Sequence, residues 1–370
     1  MWITGKDVTD PVLRSWISLN ECSPLGNLVS NVHTRVRCLQ AGGLYQFPVT
    51  VNQNERNNSY VVSMYNAYIE YAEQELRTKV RSRVAVVLLV PLIRLLGWYM
   101  RWCKIDNIVH VNNFAFSTNP YPEKWQGQHL REICDFIAQE YPGHLVVFRS
   151  LNERQHMQVL RSAPSYNIAT ILSRQIYFQD DTIEQFGRHK NVPVDRRKIA
   201  GSGLIYTRHE EMAAYLDQAH QLYHDLYIGK YTQYNPNYSV DFFQWSYRSG
   251  FIHYEGYVDT TGTLKAFAGM FIYGSTITTP LLGYAIKEPV KKALYTHAAY
   301  LSLEYKFITG LPFNCSSGAS RFKMWRGAKP VLEYSLVYCR HLPLRTRLII
   351  RLLAWLSNSV GRSLLVKYEL

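Results

Sequence analysis

The chain has 370 residues, of which 47% are hydrophobic and 19% are charged, a composition that excludes disordered and fibrous proteins. Two domains of ordinary size are expected at this length. The formal net charge of +13 indicates an anionic partner. Nucleic acid, phosphorylated cosubstrates and anionic lipid all qualify, beside a generic basic surface.

The cysteines and the first residues bear on the cellular compartment. Six cysteines are spread along the chain without a C-x-x-C pair and without metal-type spacing to histidine. This distribution is typical of reduced cytoplasmic thiols and not of a disulfide framework or a zinc site. The N-terminal residues MWITGKDVTD lack the basic segment and apolar run of a secretory signal. We therefore expect a cytoplasmic protein that binds no metal and holds no cofactor tightly.

The first half of the chain alternates strand and helix patterns, which is typical of a layered α/β domain. Asn-Pro, Tyr-Pro and Pro-Gly pairs separate the patterns as turns. The predicted elements are a β-rich run at 105–122, a helix at about 126–140, an apolar strand at 144–152 and a helix at about 153–162.

An almost wholly apolar segment, VAVVLLVPLIRLLGWYM, occupies residues 84–100 and has basic residues on both sides. It is at the short limit for a spanning helix, and Pro91 and Arg94 lie inside it. A buried or partner-covered helix, a helix on a membrane surface and a transmembrane helix are the three alternatives, and the first is favoured.

A charged stretch at 180–203 ends in Gly-Ser-Gly and is the best candidate for a domain boundary. Beyond it the pattern predicts helices, then a meander of three strands, and then alternating helices and strands. Turn signals at Gly262 and Gly274 separate the meander strands. The predicted elements are helices at 209–231 and up to about 248, strands at 251–259, 263–274 and 275–286, a helix at 288–310, a strand at 311–317, a short helix at 319–327 and a strand at 331–339.

The last residues, from LRTRLIIRLLAWL onward, form a basic amphipathic helix that can dock on the protein itself, on lipid or beside RNA. The sequence thus predicts three units: a domain over 1–200, a second domain over 201–343, and a C-terminal helix over 344–370. The predicted class is α/β, with mixed and mostly antiparallel sheets flanked by helices.

The element order of residues 204–340 resembles that of the GNAT acyltransferase fold. The segment SSGASRFKMWRGAKPVLEY resembles the end of the second domain in FemAB/FemX-like proteins, where a small-residue strand precedes a Phe-Lys pair, a glycine and a hydrophobic strand. By this resemblance the N-terminal half is a degenerate GNAT-like domain. Two such domains in a chain of about this length are typical of that branch.

The resemblance implies transfer of an activated acyl or aminoacyl group to an amine. Such chemistry needs a neutral amine, hydrogen-bond donors for the developing oxyanion, and an acid for the leaving group. In GNAT folds the acyl carbonyl lies where the strand before the long helix splays from its neighbour. That strand is TTPLLGYAI here, so Thr279 and Tyr284 become candidate catalytic residues, with strand-end packing as the alternative role for Tyr284.

The donor-binding residues follow from the same resemblance. Enzymes of this fold that use acyl-CoA carry a glycine-rich loop at the start of the long helix, and this chain has KEPVKKALY there. The missing glycine favours aminoacyl-tRNA, which also suits the positive charge, with acyl-CoA as the alternative cosubstrate. Phosphate contacts are expected from Lys287, Lys291 and Lys292.

The segment RFKMWRG adds a second group of donor contacts. By resemblance, Lys323 matches the lysine near the donor and is a catalytic candidate, and a short helix would place Arg326 on the same face. A structural pair with Glu333 or a plain surface turn is the alternative for both. Ser316 and Ser317 in the preceding turn complete the predicted donor site, and covalent catalysis by Cys315 or Ser316 is disfavoured.

Polar residues that end strands in the first half are candidate acceptor contacts, because strand ends commonly hold a ligand carboxylate or amide. These residues are Asn112, Asn113, Arg149 and Asn152, and satisfied turn residues are the alternative interpretation. His110, His253 and Asp259 are further candidates for a base.

The sequence therefore predicts a cytoplasmic acyltransferase that acts on the amine of a small metabolite or peptide. A non-catalytic protein that binds RNA or a membrane through a vestigial GNAT lobe is the competing hypothesis. Acylation at a membrane surface, with peripheral contact through residues 84–100 and the C-terminal helix, is a third.

Overall fold

A computed structural model describes residues 1–55, 57–79 and 83–362. In this part of the chain, twelve strands form one continuous sheet in the order β1-β2-β3-β4-β5-β12-β6-β11-β10-β9-β8-β7. The strands are β1 (Trp2–Ile3), β2 (Arg35–Ala41), β3 (Tyr45–Gln53), β4 (Asn107–Val111), β5 (Leu145–Asn152), β6 (Ala169–Gln179), β7 (Ile205–Thr207), β8 (His253–Val258), β9 (Leu264–Tyr273), β10 (Thr276–Tyr284), β11 (Phe313–Asn314) and β12 (Lys329–Tyr338).

Helices cover the sheet, and short 3₁₀ or π turns extend several of them. The α-helices are α1 (Pro11–Cys22), α2 (Tyr71–Lys79), α3 (Arg83–Trp102), α4 (Leu130–Glu140), α5 (Met157–Ser162), α6 (Ile183–Gly187), α7 (Val192–Ala200), α8 (Leu216–His224), α9 (Val240–Arg248), α10 (Leu294–Thr309), α11 (Ser320–Met324) and α12 (Leu344–Leu356).

The strand order contains an internal repeat. In the first half β2, β3 and β4 form an antiparallel meander, and β5 follows α4 and pairs parallel to β4. In the second half β8, β9 and β10 form the same meander, and β11 follows α10 and pairs parallel to β10. All other pairings in the sheet are antiparallel. The predicted α/β class, with two similar halves and mostly antiparallel pairing, is thereby confirmed.

The two halves exchange their last strands. β12 of the second half lies between β5 and β6, and β6 of the first half lies between β12 and β11. The predicted boundary near residue 200 thus falls in a sheet that continues across both halves, and the division into 1–200 and 201–343 stays a prediction. The exchange places the ends of β5, β6 and β12 beside β10 and β11, where the site described below lies.

Three helices begin later or end sooner than the sequence predicted. α4 begins at Leu130, because Gly127 and His129 both have positive φ and break the pattern before it. α10 begins at Leu294 after a 3₁₀ turn and Ala293, which has φ +51°, so Pro289 is not in its first turn. α11 ends at Met324, which leaves Arg326 beyond the end of the helix.

The apolar segment at 84–100 forms most of α3, with Val90 and Met100 buried against the body of the protein. Arg81, one of the basic residues before this segment, lies outside the described residues, as do residues 363–370 of the predicted C-terminal helix. Over the part of the chain that is described, we find no helix with both the length and the apolarity needed to cross a bilayer.

The burial of His156 predicts that the protein becomes less stable in acid. His156 is buried, and its Nδ1 accepts a hydrogen bond from the backbone N–H of Asn152 (3.3 Å), which requires an unprotonated nitrogen. Burial lowers the pKa of His156 to about 3. Below pH 6.5 the unfolded chain therefore binds a proton that the folded chain does not, and the free energy of unfolding falls by about 1.4 kcal/mol per pH unit from this residue.

Urea unfolding at pH 7.5, 6.5, 5.5 and 4.5 measures this dependence. The His156→Gln variant is expected to lose less stability between pH 6.5 and 4.5 than the parent protein, by about 1.4 kcal/mol per pH unit. Equal slopes for the two proteins would show that His156 is not held neutral by the fold.

Candidate functional site

A cavity of about 1250 Å³ opens between the two halves of the molecule. This volume exceeds the range of roughly 300–1000 Å³ that is usual for small-molecule sites. Its walls come from β5, β6 and β12 on one side and from β10, α10 and α11 on the other, with α2 and α3 at one end. A site of this size can hold two substrates or one substrate with a long group.

The cavity includes a gap between β10 and β11. These parallel strands pair only at Ile277–Phe313 and Thr278–Asn314, after which β10 continues to Tyr284 and the chain leaves β11 in a turn. A bulge between Thr278 and Leu281 bends β10 at the same point. The gap is therefore a slot between a continuing strand and a turn, and residues of both sides line the cavity.

Lys323 of α11 holds the turn on one side of this gap. Its ammonium donates to the carbonyl oxygens of Cys315 (2.6 Å), Ser316 (3.1 Å) and Ser317 (2.8 Å). Burial lowers the pKa of Lys323 to about 8, while the three carbonyl acceptors favour the charged form. The side chain thus fixes the turn and brings a positive charge to the cavity wall.

Two further cations lie in the cavity, and their surroundings differ. Arg174 Nε donates to Glu333 Oε1 (2.7 Å), and its NH2 group donates to Ser117 O (2.8 Å) and Thr118 Oγ1 (2.7 Å). Arg149 donates to the carbonyl of Val61, but the ion pairs found among the described residues do not include it. A guanidinium that lines a cavity without a carboxylate partner is a natural contact for an anionic group of a ligand.

His110 on β4 lies in the same part of the cavity as Arg149. Burial lowers the pKa of His110 well below its usual value, and the charge of Arg149 acts in the same direction. The ring is therefore neutral at physiological pH, and its buried Nδ1 has no hydrogen-bond partner in the described structure. A neutral imidazole that lines a cavity can accept a proton from a bound substrate.

A tyrosine wall faces the gap from the second half. Tyr284 at the end of β10 packs edge-on against Tyr295 of α10 (centroids 5.8 Å apart), and Tyr227 and Tyr231 complete the wall. Burial raises the pKa of each of these four hydroxyl groups. The phenols therefore stay protonated near neutral pH and can donate hydrogen bonds to a substrate.

The structure brings part of the predicted set together around the gap. Thr279 lies beside it and donates to Ser302 Oγ (2.9 Å), Ser316 accepts from Thr118 Oγ1 (3.0 Å), and Ser317 accepts from Arg174 (3.4 Å). The predicted residues that line the cavity are His110, Arg149, Thr279, Tyr284, Ser316, Ser317, Lys323 and Arg326.

Arg326 forms an ion pair with Asp195, which the sequence did not predict. It is buried, and its Nε donates to Asp195 Oδ2 (2.6 Å) while NH1 donates to the carbonyl of Phe322 (2.7 Å). The alternative pairing with Glu333 is wrong, because Glu333 pairs with Arg174. Its role in donor binding stays a prediction, although Arg326 does line the cavity.

The remaining predicted donor residues lie outside the cavity. Lys287 and Lys291 are exposed before α10, and Lys292 pairs with Glu288 (2.7 Å). The nearby Lys265 also pairs with Glu288 (3.2 Å), so the acidic side chain is shared. These lysines form a basic rim at the start of α10, where phosphate binding stays a prediction.

Three predicted acceptor residues are buried in the turns that follow β4 and β5. Asn112 donates to Pro120 O (2.8 Å), and Asn113 donates to Thr50 Oγ1 (2.9 Å) and Val61 O (3.0 Å). Asn152 holds the turn to α5 through Gln155. Their amides stabilise turns outside the cavity, and acceptor binding by them stays a prediction.

The prediction from sequence missed Arg174 and the tyrosines beside Tyr284. Arg174 lies inside the strand SRQIYF, directly opposite Glu333 of VLEYSLVY in the register of β6 and β12. A charged residue inside each of two apolar strands was the available signal, because such residues are rarely buried without a partner.

Comparisons with known proteins agree with this architecture. No protein-family model and no curated protein matches the sequence. The crystal structure of FemX superposes with a TM-score of 0.51 at 8% identity, over 90% of this chain and 96% of that chain.

Two other solved structures are similar over about three fifths of this chain. L-PGS from Bacillus licheniformis has a TM-score of 0.43 at 16% identity and covers 61% of this chain and 79% of its own. A tandem GNAT protein from the clavulanic acid biosynthesis pathway has a TM-score of 0.38 at 10% identity, over 64% and 76%. Among these, the likeness to FemX extends over both halves, so this chain shares the fold of that protein over 90% of its length.

Proposed function

We propose that the protein is an acyltransferase that moves an activated acyl or aminoacyl group to an amine in the cavity between its halves. The observation that carries the proposal is the gap between β10 and β11, which opens into a cavity that also holds Arg149 and His110. In a GNAT-like fold this gap is the expected position of the acyl carbonyl, and the cavity leaves room for an acceptor beside it.

The chain's own side chains suit the steps of this reaction. The acceptor amine attacks the carbonyl carbon, a C–N bond forms, and the C–O bond of an ester or the C–S bond of a thioester breaks. His110 is neutral before the reaction and takes the proton of the amine. Tyr284 is protonated before the reaction and gives its proton to the leaving group. Arg149 binds an anionic group of the acceptor, such as a carboxylate.

Aminoacyl-tRNA is the donor that the chain favours, with acyl-CoA as the alternative. α10 begins without a glycine-rich loop, and a basic rim of Lys287, Lys291 and Lys292 precedes it. Lysines grouped before α10 suit an RNA backbone, because contacts to phosphate contribute most of the sequence-independent affinity. The acceptor is expected to be a small metabolite or a peptide.

A donor assay tests this proposal. The purified protein is incubated with radiolabelled mixed aminoacyl-tRNA or with acetyl-CoA, with and without a pool of primary amines, and donor binding and amine-dependent deacylation are measured. Deacylation of tRNA without binding of CoA supports the favoured donor, and release of CoA supports the alternative. Binding of neither donor would contradict the proposal for both and favour a vestigial lobe.

The Tyr284→Phe variant is expected to slow transfer at least about tenfold with little change in donor affinity, because it removes one proton donor from the gap. Tyr305→Phe is the matched control, since Tyr305 lies on α10 outside the cavity and stacks on His253. Steady-state rates for both variants check the expectation. Equal rates for Tyr284→Phe and the control would exclude Tyr284 as the acid.

A further inference from the structure

An exposed apolar surface is formed by two neighbouring helices, α3 and α12. On α3, Leu92, Leu95 and Trp98 are 60%, 62% and 65% exposed, and on α12 Trp355 is 60% exposed. We call it the α3–α12 surface, and its members are Leu88, Leu92, Leu95, Trp98, Trp102, Leu344, Leu348, Leu352 and Trp355.

Helical spacing places these side chains on one side of each helix. At about 100° per residue, the α3 members fall within an arc of about 120°, and the α12 members within about 80°. The opposite face of α12 is buried through Ile349, Ile350 and Leu353. Each helix therefore packs one face on the protein and presents the other, an apolar one, to its surroundings.

Contacts between the helices join the two faces into one surface. Within α3, Trp98 stacks on Trp102, and the guanidinium of Arg345 on α12 lies over the Trp102 ring at 5.0 Å. Tyr99 of α3 also donates to the backbone carbonyl of Arg345 (3.4 Å). Contiguous apolar patches of this kind on a protein surface mark sites of interaction.

The charges on these helices point to the kind of partner. Neither segment 83–104 nor segment 343–362 contains an aspartate or a glutamate, and both carry arginines. Arg94 and Arg101 pair with Glu73 and Glu70 of neighbouring elements, but the ion pairs of the described residues do not include Arg345 or Arg351. A second copy of the chain would bring like charges together across this surface, whereas an anionic bilayer complements them.

We propose that the α3–α12 surface docks the protein on an anionic lipid bilayer. Leucines enter the acyl boundary, the tryptophans lie at the headgroup level, and the arginines contact lipid phosphate, as in helices that lie in the plane of a membrane. The inner side of α3 carries Leu89 and Ile93, which line the cavity. A docked bilayer thus lies beside the cavity wall, and this inference stands whether or not the proposed reaction is correct.

Sedimentation with sucrose-loaded vesicles tests the proposal. The full chain is expected to bind vesicles of phosphatidylcholine with 30% phosphatidylglycerol at least about tenfold more tightly than vesicles of phosphatidylcholine alone, and less tightly as salt rises. The double variant Leu92→Glu, Leu95→Glu is expected to lose binding by at least about tenfold. Ile308→Glu is the matched control, because Ile308 is 78% exposed on α10, away from this surface.

Circular dichroism and urea unfolding verify that each variant is folded, and sedimentation velocity reports the oligomeric state. Three results would overturn the proposal. The first is absence of vesicle binding by the parent protein, and the second is binding that Leu92→Glu, Leu95→Glu leaves unchanged. The third is a dimer that this double variant dissociates while vesicles stay unbound, which would assign the surface to a second copy of the chain.

Discussion

Replacing Arg149 with methionine is expected to lower acyl transfer by at least about 100-fold while leaving the free energy of unfolding unchanged or higher. Arg149 lines the cavity and has no carboxylate partner among the described residues. Burying its unpaired charge therefore costs free energy, which a bound anion offsets. Burial lowers the pKa of Arg149, which has the same physical cause.

Replacing Arg149 leaves its hydrogen-bond acceptor in the protein with another donor. Its hydrogen-bond acceptor, the carbonyl of Val61, also accepts from Asn113 Nδ2 (3.0 Å) and keeps that partner in the variant. Amine-dependent deacylation and urea unfolding at pH 7 measure the two effects. A variant that loses stability and keeps its activity would show that Arg149 is structural and that the acceptor binds elsewhere.

Replacing Arg174 with methionine is expected to destabilise the protein by about 3–5 kcal/mol, because it leaves a buried carboxylate without its partner. The side chain of Glu333 is 4% exposed, and both of its oxygens accept from Arg174, at 2.7 and 3.5 Å. Arg149 and Arg174 therefore line one cavity but are expected to respond to the same substitution in opposite ways.

A double-mutant cycle separates the ion pair from the packing of Arg174. The variant Arg174→Met, Glu333→Leu removes both charges and is expected to recover most of the stability that Arg174→Met loses. Urea unfolding of the parent protein, the two single variants and the double variant gives the coupling energy. A double variant that is no more stable than Arg174→Met would show that the pair contributes through its other contacts, with Ser117 and Thr118.

Much of the second repeat was readable from the sequence because its signals are local. Gly262 and Gly274 have positive φ and end the hairpins of the meander, and alternation of apolar residues predicts β8, β9 and β10. Gly310 and Gly327 end α10 and α11 in the same way. The order of these elements is what carried the resemblance to a GNAT-like fold.

The exchange of β6 and β12 could not be predicted from local pattern. Each strand has the apolar composition of any buried strand, and its neighbours are chosen by pairing across more than 150 residues, as between Arg174 and Glu333. The same limit applies to the site, because the opposition of those two residues depends on register. Local reasoning found the gap beside Thr279 and Tyr284 through the resemblance, but it did not find the cavity that the exchange creates.

Residues predicted from polar strand ends divide according to where the turn places them. Arg149 lies on β5 and lines the cavity, whereas the amides of Asn112, Asn113 and Asn152 donate to protein atoms outside the cavity. An asparagine after a strand often satisfies the backbone around it, since its short side chain carries both a donor and an acceptor. Arg149 lies three residues before the end of β5, so its side chain lines the cavity from within the strand.

The most direct test of the proposed function is a crystal structure of the protein with a hydrolysis-resistant donor analogue, one with an amide-linked aminoacyl adenosine and one with a thioether analogue of acyl-CoA. The proposal predicts that one of them places its acyl group in the gap between β10 and β11, beside Thr279 and Tyr284, with space left for an amine near His110. An analogue bound outside the cavity, with the gap closed or filled by protein side chains, would contradict it.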